Sequence, residues 1–406
     1  MQHVLYVSVA LSAVTVDANT HLVNPVPLFD KGGMRMDAHD GTIHQWEENG
    51  PFYYYAMGYS RCAYDGCWTP NCSHTDKHTI NVWRSASLEN RSWELLGEAL
   101  PVDSRPKGVY FRSKVQYNPR TKLYVLIVNF GADKGTPGHP YVPAYINLAA
   151  TSTTPHGPFT DIKNMSRIGQ SGDFGFFVDL SSAAADGLPR AYLIYGGSAG
   201  TVVELLNENF TDGTGETSAV LESLPGVPKE VSCQESPAMW RTSKDKYVVM
   251  TAGCTCFGMP QFGGKPYGGT GIFAYVASTP LGPYSYIGNM NNLDGNVSST
   301  VCGECASNAP PFPCPAGRCA LPVQLNSIPR RYDGSPMALS GSLWGLNSDG
   351  KTTNIIGDYA EYWQPWGDVV DEDGLPKPLI YHRNISLDTG LATSRFDLSN
   401  HDPVFT

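Results

Sequence analysis

Apolar and polar positions along this chain alternate in short β-rich bursts, and helical periodicity is nearly absent. The clearest bursts are Phe52-Tyr53-Tyr54-Tyr55, Leu123 to Val128, Ala191 to Tyr195 and Tyr247 to Thr251. Each is rich in β-branched or aromatic residues and follows polar or turn-forming ones, the pattern of a buried strand. They recur at roughly 55–70 residues, the size of a four-stranded blade with its loops. A further unit fills Gln324 to Tyr381, around Asn354-Ile355-Ile356-Gly357-Asp358-Tyr359. Five such units without a linker predict one all-β domain over 19–406, a five-bladed β-propeller. A sandwich or β-helix would give shorter, more regular beats.

Secondary phrases repeat as well. Ser85 to Glu94 reads as the outer strand and turn of the first blade. Thr151 to Phe159, with Pro155-His156-Gly157-Pro158-Phe159, echoes Ala274 to Tyr284, with Pro280-Leu281-Gly282-Pro283-Tyr284. Such echoes predict corresponding places in successive blades.

Hydrophobic residues make up 41% of the 406 and charged ones only 16%, so the chain can bury a large core and is not disordered. The 22 Tyr and 8 Trp also suit sugar binding. Net charge is −10 with no run of Lys or Arg, which argues against nucleic acid and anionic membrane as partners. Val4 to Val16 is apolar, too short to span a bilayer, and ends in Val16-Asp17-Ala18; it fits the core of a signal peptide over 1–18, although only His3 stands for the charged n-region. The alternative is an ordinary first strand. Six N-x-S/T sequons, at Asn71, Asn90, Asn164, Asn209, Asn296 and Asn384, exceed the roughly two that chance supplies and predict a secreted, extracellular glycoprotein.

Ten cysteines fit that compartment. Cys62, Cys67 and Cys72 share one loop, and Cys302, Cys305, Cys314 and Cys319 another. Cys302-x-x-Cys305 has zinc-ligand spacing, but an even count in an exported chain favours disulfides that staple long loops. Cys233, Cys254 and Cys256 could pair locally.

Several phrases carry a family resemblance. Asn24-Pro25-Val26-Pro27-Leu28-Phe29-Asp30, then Asp37-Ala38-His39-Asp40-Gly41 and Tyr53-Tyr54-Tyr55, resemble the opening blade of glycoside hydrolase family 43. The likeness is to the exo-β-1,3-galactanase branch, with its Ala-His-Gly-Gly phrase. Ser85 to Trp93, Cys233-Gln234-Glu235-Ser236-Pro237-Ala238-Met239-Trp240 and Thr251-Ala252-Gly253-Cys254-Thr255 resemble further branch phrases. The likeness runs from about Asn24 to Tyr381 and implies a five-bladed propeller with the site at one end of its axis. It also implies inverting hydrolysis, in which one acid protonates the leaving oxygen while a base activates water.

The resemblance puts Glu235 at the general acid. An apolar setting would raise the pKa of such a carboxyl, as an acid needs near neutrality. Asp173 matches the Asp that orients the acid and tunes its pKa, with Asp179 competing for the role. Most of the family takes its base from an opening-blade Asp, whereas the branch lacks it and a Gln has been suggested instead. Gln324 resembles that Gln, and Asp37 and Asp40 are the opening-blade carboxylates. The base stays divided among these three. His39, Tyr54, Arg112, Trp240 and Trp363 are candidate sugar contacts, with Trp46, Trp366 and Lys114 beside them. Each ring taken singly favours the core over a sugar subsite. One departure stands out: Phe111 occupies the place of a branch Glu, which puts a β-1,3-galactan substrate in doubt.

The expected activity is hydrolysis of galactan-like or arabinose- or xylose-bearing polysaccharide outside the cell, by a monomer that requires no cofactor. The resemblance admits a structural calcium on the axis, as in some relatives. The alternative is a carbohydrate-binding propeller without catalysis. No G-x-G-x-x-G dinucleotide fingerprint is present.

Overall fold

A computed structural model describes residues 21–24, 28–34, 36–58, 78–132, 145–169, 171–180, 187–197, 200–221, 234–253, 272–290, 323–346, 355–365, 369–377, 394–397 and 403–405. The expected signal peptide, all ten cysteines and three of the sequons, Asn71, Asn296 and Asn384, lie outside these residues.

The chain folds as an all-β propeller. Apart from a short strand β1 (His21–Asn24), it begins as four antiparallel meanders in sequence. Blade one is β2 (His39–Gln45), β3 (Phe52–Gly58), β4 (Thr79–Ser85) and β5 (Glu94–Glu98). Blade two is β6 (Gly108–Asn118), β7 (Leu123–Ala132), β8 (Ile146–Ser152) and β9 (Thr160–Asn164). Blade three follows as β10 (Phe174–Asp179), β11 (Arg190–Gly197), β12 (Gly200–Leu206) and β13 (Gly213–Thr217). Blade four is β14 (Gln234–Arg241), β15 (Tyr247–Gly253), β16 (Ile272–Ala277) and β17 (Ser285–Asn289). The four apolar bursts of the sequence become the second strand of each blade, buried on both faces, which is why they read as runs rather than alternations.

The blade count differs from expectation: the described residues give four complete blades, not five. The stretch expected to form the fifth gives a three-stranded sheet, β18 (Val323–Ser327), β19 (Ala338–Leu346) and β20 (Ile355–Pro365). Beyond Pro365 the chain makes a tight turn that bridges Val370 to Pro376, and proline cannot donate to a ladder. First strands of successive sheets touch in a closed cycle, β2 to β6 to β10 to β14 to β18 and back to β2. A separate sheet joins β1 to β21 (Ser394–Asp397) and β22 (Pro403–Phe405).

Apolar clusters fill the spaces between neighbouring sheets. Tyr55, Val82, Tyr110, Leu126 and Phe130 pack blade one on blade two. Ile127, Phe174, Phe176 and Leu193 join blades two and three. Phe177, Ile194, Met239 and Val249 continue to blade four, and Trp240, Met250, Leu325 and Val369 reach the three-stranded sheet. Each fully buried large side chain contributes about 1.5–3 kcal/mol, so the ring is held mainly by these interfaces. The echoed phrases do occupy matching hairpins, β8–β9 and β16–β17. In both a threonine hydroxyl, Thr154 or Thr279, donates to the carbonyl of the phrase's glycine, at 2.9 and 2.6 Å. No described helix is long and apolar enough to cross a membrane.

Candidate active site

Four first strands lose register near their starts: β2 between His39 and Thr42, β6 between Phe111 and Lys114, β14 between Glu235 and Ala238, and β18 between Leu325 and Ser327. Bulges of this kind re-aim side chains. In three of them a non-glycine residue has positive φ: Asp40 at 51°, Arg112 at 59° and Ser236 at 52°. Left-handed backbone costs such residues about 1–2 kcal/mol, and its recurrence at one end of the axis marks a place where orientation outweighs comfort. Gly41 follows from the same geometry, since a Cβ there would lie 2.0 Å from the Tyr55 carbonyl.

The re-aimed side chains meet. Arg112 Nη1 lies 3.2 Å from Asp40 Oδ1, and Arg112 Nη2 lies 3.0 Å from Asp173 Oδ2. Nη1 also donates to the Leu325 carbonyl at 3.2 Å. Ser236 Oγ donates to Asp173 Oδ2 at 2.6 Å. Lys114 Nζ donates to the carbonyls of Asp40 and Gly41, at 3.3 and 3.1 Å. The side chains of Arg112, Asp40 and Asp173 are 4%, 8% and 13% exposed, so these charges depend on one another for solvation. One guanidinium thus ties blades one, two and three to the three-stranded sheet, and Ser236 adds blade four.

Glu235 is the second residue of β14, paired with Ala252 and half-buried, one residue before the serine that holds Asp173. Asp179 lies at the other end of β10, where Tyr247 donates to it at 2.6 Å. Asp173 is therefore the one at the cluster. Asp37 lies just before β2: its carbonyl takes the Asn81 side chain at 2.8 Å, and its carboxylate borders Gly58 in blade one. Tyr54 is buried edge-on against Trp93, and Trp240 is buried with its Nε1 donating to the Gly374 carbonyl at 2.8 Å. Both rings pack in apolar clusters, and the Tyr54 ring also borders Gly41. His39 lies in β2, Gln324 in β18 next to Leu325, and Trp363 in β20; their side chains, and all of Trp366, lie outside the described residues.

Phe111 packs edge-on against Tyr145, ring centroids 5.0 Å apart. Burial and the nearby Asp173 charge push the Tyr145 hydroxyl up to about 12. An aromatic pair therefore stands beside the cluster where the resemblance implied a carboxylate. Sequence reasoning missed Tyr145, which no motif flanks, and gave Ser236 no role although it sits inside the phrase that identified Glu235. Among the described residues no group of three or more His, Cys, Asp or Glu could hold a metal ion, and the axis carries Arg112 and Lys114. These residues do not fit a calcium.

Solved structures share this architecture. An exo-β-1,3-galactanase from Phanerochaete chrysosporium, solved with galactose, superposes with a TM-score of 0.60 at 17% identity, over 95% of this chain and 70% of the other. An exo-β-1,3-galactanase from Clostridium thermocellum gives 0.61 at 18%, over 95% and 68%. A family 43 β-1,3-galactosidase solved with galactodeoxynojirimycin gives 0.56 at 20%, over 88% and 97%. The fold is shared. At such identities the likeness extends to the fold alone. No family model and no curated protein sequence matches the chain.

Proposed function

We propose that the chain is a secreted, monomeric glycoside hydrolase that cleaves galactan-like or arabinose- or xylose-bearing polysaccharide with inversion, from the axial cluster. In this reading β18–β20 serves as an incomplete fifth blade, and exo-β-1,3-galactanase is the specific activity to try first. The observation that carries it is the joint hold on Asp173 by Arg112 and by Ser236, the neighbour of Glu235.

Glu235 acts as the acid and protonates the leaving oxygen. Asp173 orients it, and a negative charge beside a carboxyl favours the protonated form that an acid needs. Asp40 takes the base role, because it is the opening-blade carboxylate that shares Arg112 with Asp173. Gln324 is the alternative base, adjoining the Leu325 carbonyl that Arg112 also binds. Inversion requires the base to activate a water on the face of the sugar opposite the acid. His39, Arg112 and Trp363 remain candidate sugar contacts.

A binding propeller without catalysis is the second reading, and Phe111 favours it. An apolar ring packed on Tyr145 removes a carboxylate that the resemblance associates with substrate binding or charge tuning. Reducing-sugar release from β-1,3-galactan, arabinogalactan, arabinan and xylan separates the two, with wild type beside Glu235→Gln. Release that vanishes in the variant supports hydrolysis. Binding of glycan by folded protein, with no release from any substrate, supports the second reading.

A further inference from the structure

The inner strands have another end, and a cavity of about 820 Å³ opens there. It is reached from the opposite face of the ring, past Gln45, Tyr117, Asp179 and Arg241 at the ends of β2, β6, β10 and β14. Between it and the Arg112 cluster the axis narrows to a void of about 30 Å³, lined by Thr42, Lys114, Gln116 and Phe176, room for on the order of one or two waters. A ligand of sugar size entering from this face stays on this face.

Arg330 lines both the cavity and the narrow void. Its backbone is fixed against β2, with its N–H on the Ile43 carbonyl at 3.1 Å and its carbonyl accepting from Gln45 N at 3.0 Å. Its guanidinium lies over the Phe177 ring, 5.6 Å from the centroid, and donates to the carbonyls of Gly334 and Met239, at 2.8 and 3.4 Å. Those bonds use two of the roughly five N–H donors an arginine has, and no carboxylate pairs with it among the described residues. Burial pulls it down to about 10, so it keeps its charge at neutral pH.

The surroundings point to the ligand. On a chain of net charge −10, this lining carries Lys122, Arg241, Arg330 and Arg331 against the carboxylates Asp179 and Asp333. Asp179 is already bonded to Tyr247, and Asp333 takes the Ser335 N–H at 2.8 Å. Arg241 is paired with Asp245. Aromatic rings border the same space: Trp46 stands edge-on to Tyr124 at 5.2 Å, Tyr117 lies 5.1 Å from Tyr124, and Tyr332 is 47% exposed. Rings take the apolar faces of a sugar, and a guanidinium fork takes a carboxylate.

We propose that this second mouth is a binding site for acidic, uronate-bearing oligosaccharide, with Arg330 on the carboxylate and Tyr332 and Trp46 on the sugar faces. It is independent of the hydrolysis reading, because none of its residues belongs to the Arg112 cluster.

Titration calorimetry of the full chain with trigalacturonate and with neutral galactotriose tests it, in wild type, Arg330→Met, Tyr332→Ala and Glu235→Gln. The expected result is at least tenfold tighter binding of trigalacturonate, weakened by salt, lost tenfold or more in Arg330→Met and Tyr332→Ala, and kept in Glu235→Gln. If Arg330→Met does not fold by circular dichroism, Arg330→Lys replaces it, since lysine keeps the charge without the fork. Equal affinity for the two trisaccharides, no binding of trigalacturonate, or unchanged affinity in both site variants overturns the proposal. So does a triglutamate peptide that binds as tightly as trigalacturonate.

Discussion

Ser236 Oγ donates to Asp173 Oδ2 at 2.6 Å, so the residue next to Glu235 on blade four holds a carboxylate of blade three. Ser236 makes this bond from a positive φ within a bulge. If Asp173 orients the acid, this hydroxyl sets where Asp173 stands. Ser236→Ala should lower kcat about tenfold, the loss of roughly one hydrogen bond to a charged group, while KM changes little. The basic limb of the pH profile should also move, because the acid's environment changes. An unaltered kcat and profile would make the serine purely architectural.

Arg112 serves two buried carboxylates at once. Arg112→Met leaves both Asp40 and Asp173 without their cation and should destabilise the fold by about 3–5 kcal/mol, read from the urea midpoint. Arg112→Lys should recover only part of this, because an ammonium cannot span both partners as a planar fork does.

The base can be identified by chemical rescue. Asp40→Asn keeps a residue that tolerates left-handed backbone, so the bulge survives while the basic oxygen is lost. Hydrolysis should fall by about a thousandfold, toward the upper end of what positioned acid–base catalysis supplies. Added azide should restore cleavage and form a glycosyl azide of inverted configuration. Rescue of Gln324→Gly instead, with Asp40→Asn still active, would transfer the role.

Acid should unfold the protein partly through His44. Its ring is buried, stacked on Trp46 at 4.5 Å, and close to the positive Arg330 and Lys114. Burial first, and those two charges next, lower it from 6.5 to about 3. The folded pKa lies below the unfolded one, so the unfolded chain binds the proton first. The stability that His44 contributes is complete above about pH 6.5 and drains away as pH falls toward 3, at about 1.4 kcal/mol per unit. His44→Phe should flatten the slope of unfolding free energy between pH 6 and 4 by nearly one proton. Equal slopes in the two proteins would count against a neutral buried His44.

Asn164 and Asn209 are exposed, in β9 and in the turn after β12. Expression through a eukaryotic secretory route should attach glycans to both, and peptide N-glycosidase should release the added mass. Asn90 is less open, because its side-chain oxygen accepts the Phe29 N–H at 2.7 Å. Bare Asn164 and Asn209 in secreted material would weaken the expectation of glycosylation.

The propeller was legible because strands such as Leu123–Ala132 are buried on both faces and write their period directly into the chain. The number of blades was less so. The burst around Ile355 to Tyr359 reads like the earlier ones, yet it falls at the start of β20, the third strand of its sheet rather than the second. Within the candidate site, the phrase around Glu235 contains Ser236, which bonds Asp173. The grouping of Asp40 with Asp173 depended on bulges and a left-handed Asp40, which no periodicity encodes. Aromatic residues were the least readable, since Tyr54 and Trp240 are buried in apolar clusters while Trp46 and the edge of Trp240 line the far mouth.

The hydrogen bond from Arg112 to the Leu325 carbonyl joins residues 213 apart in sequence. A ribosome that has released blades one to three has already supplied Asp40, Arg112 and Asp173, yet the Leu325 carbonyl that the guanidinium also binds is still to be synthesised. Such a long closure is slow to form and leaves charged groups waiting for partners. Shortened chains ending before β18 should therefore hold their strands and lack a finished centre, so that competence arrives only with about the final fifth of translation.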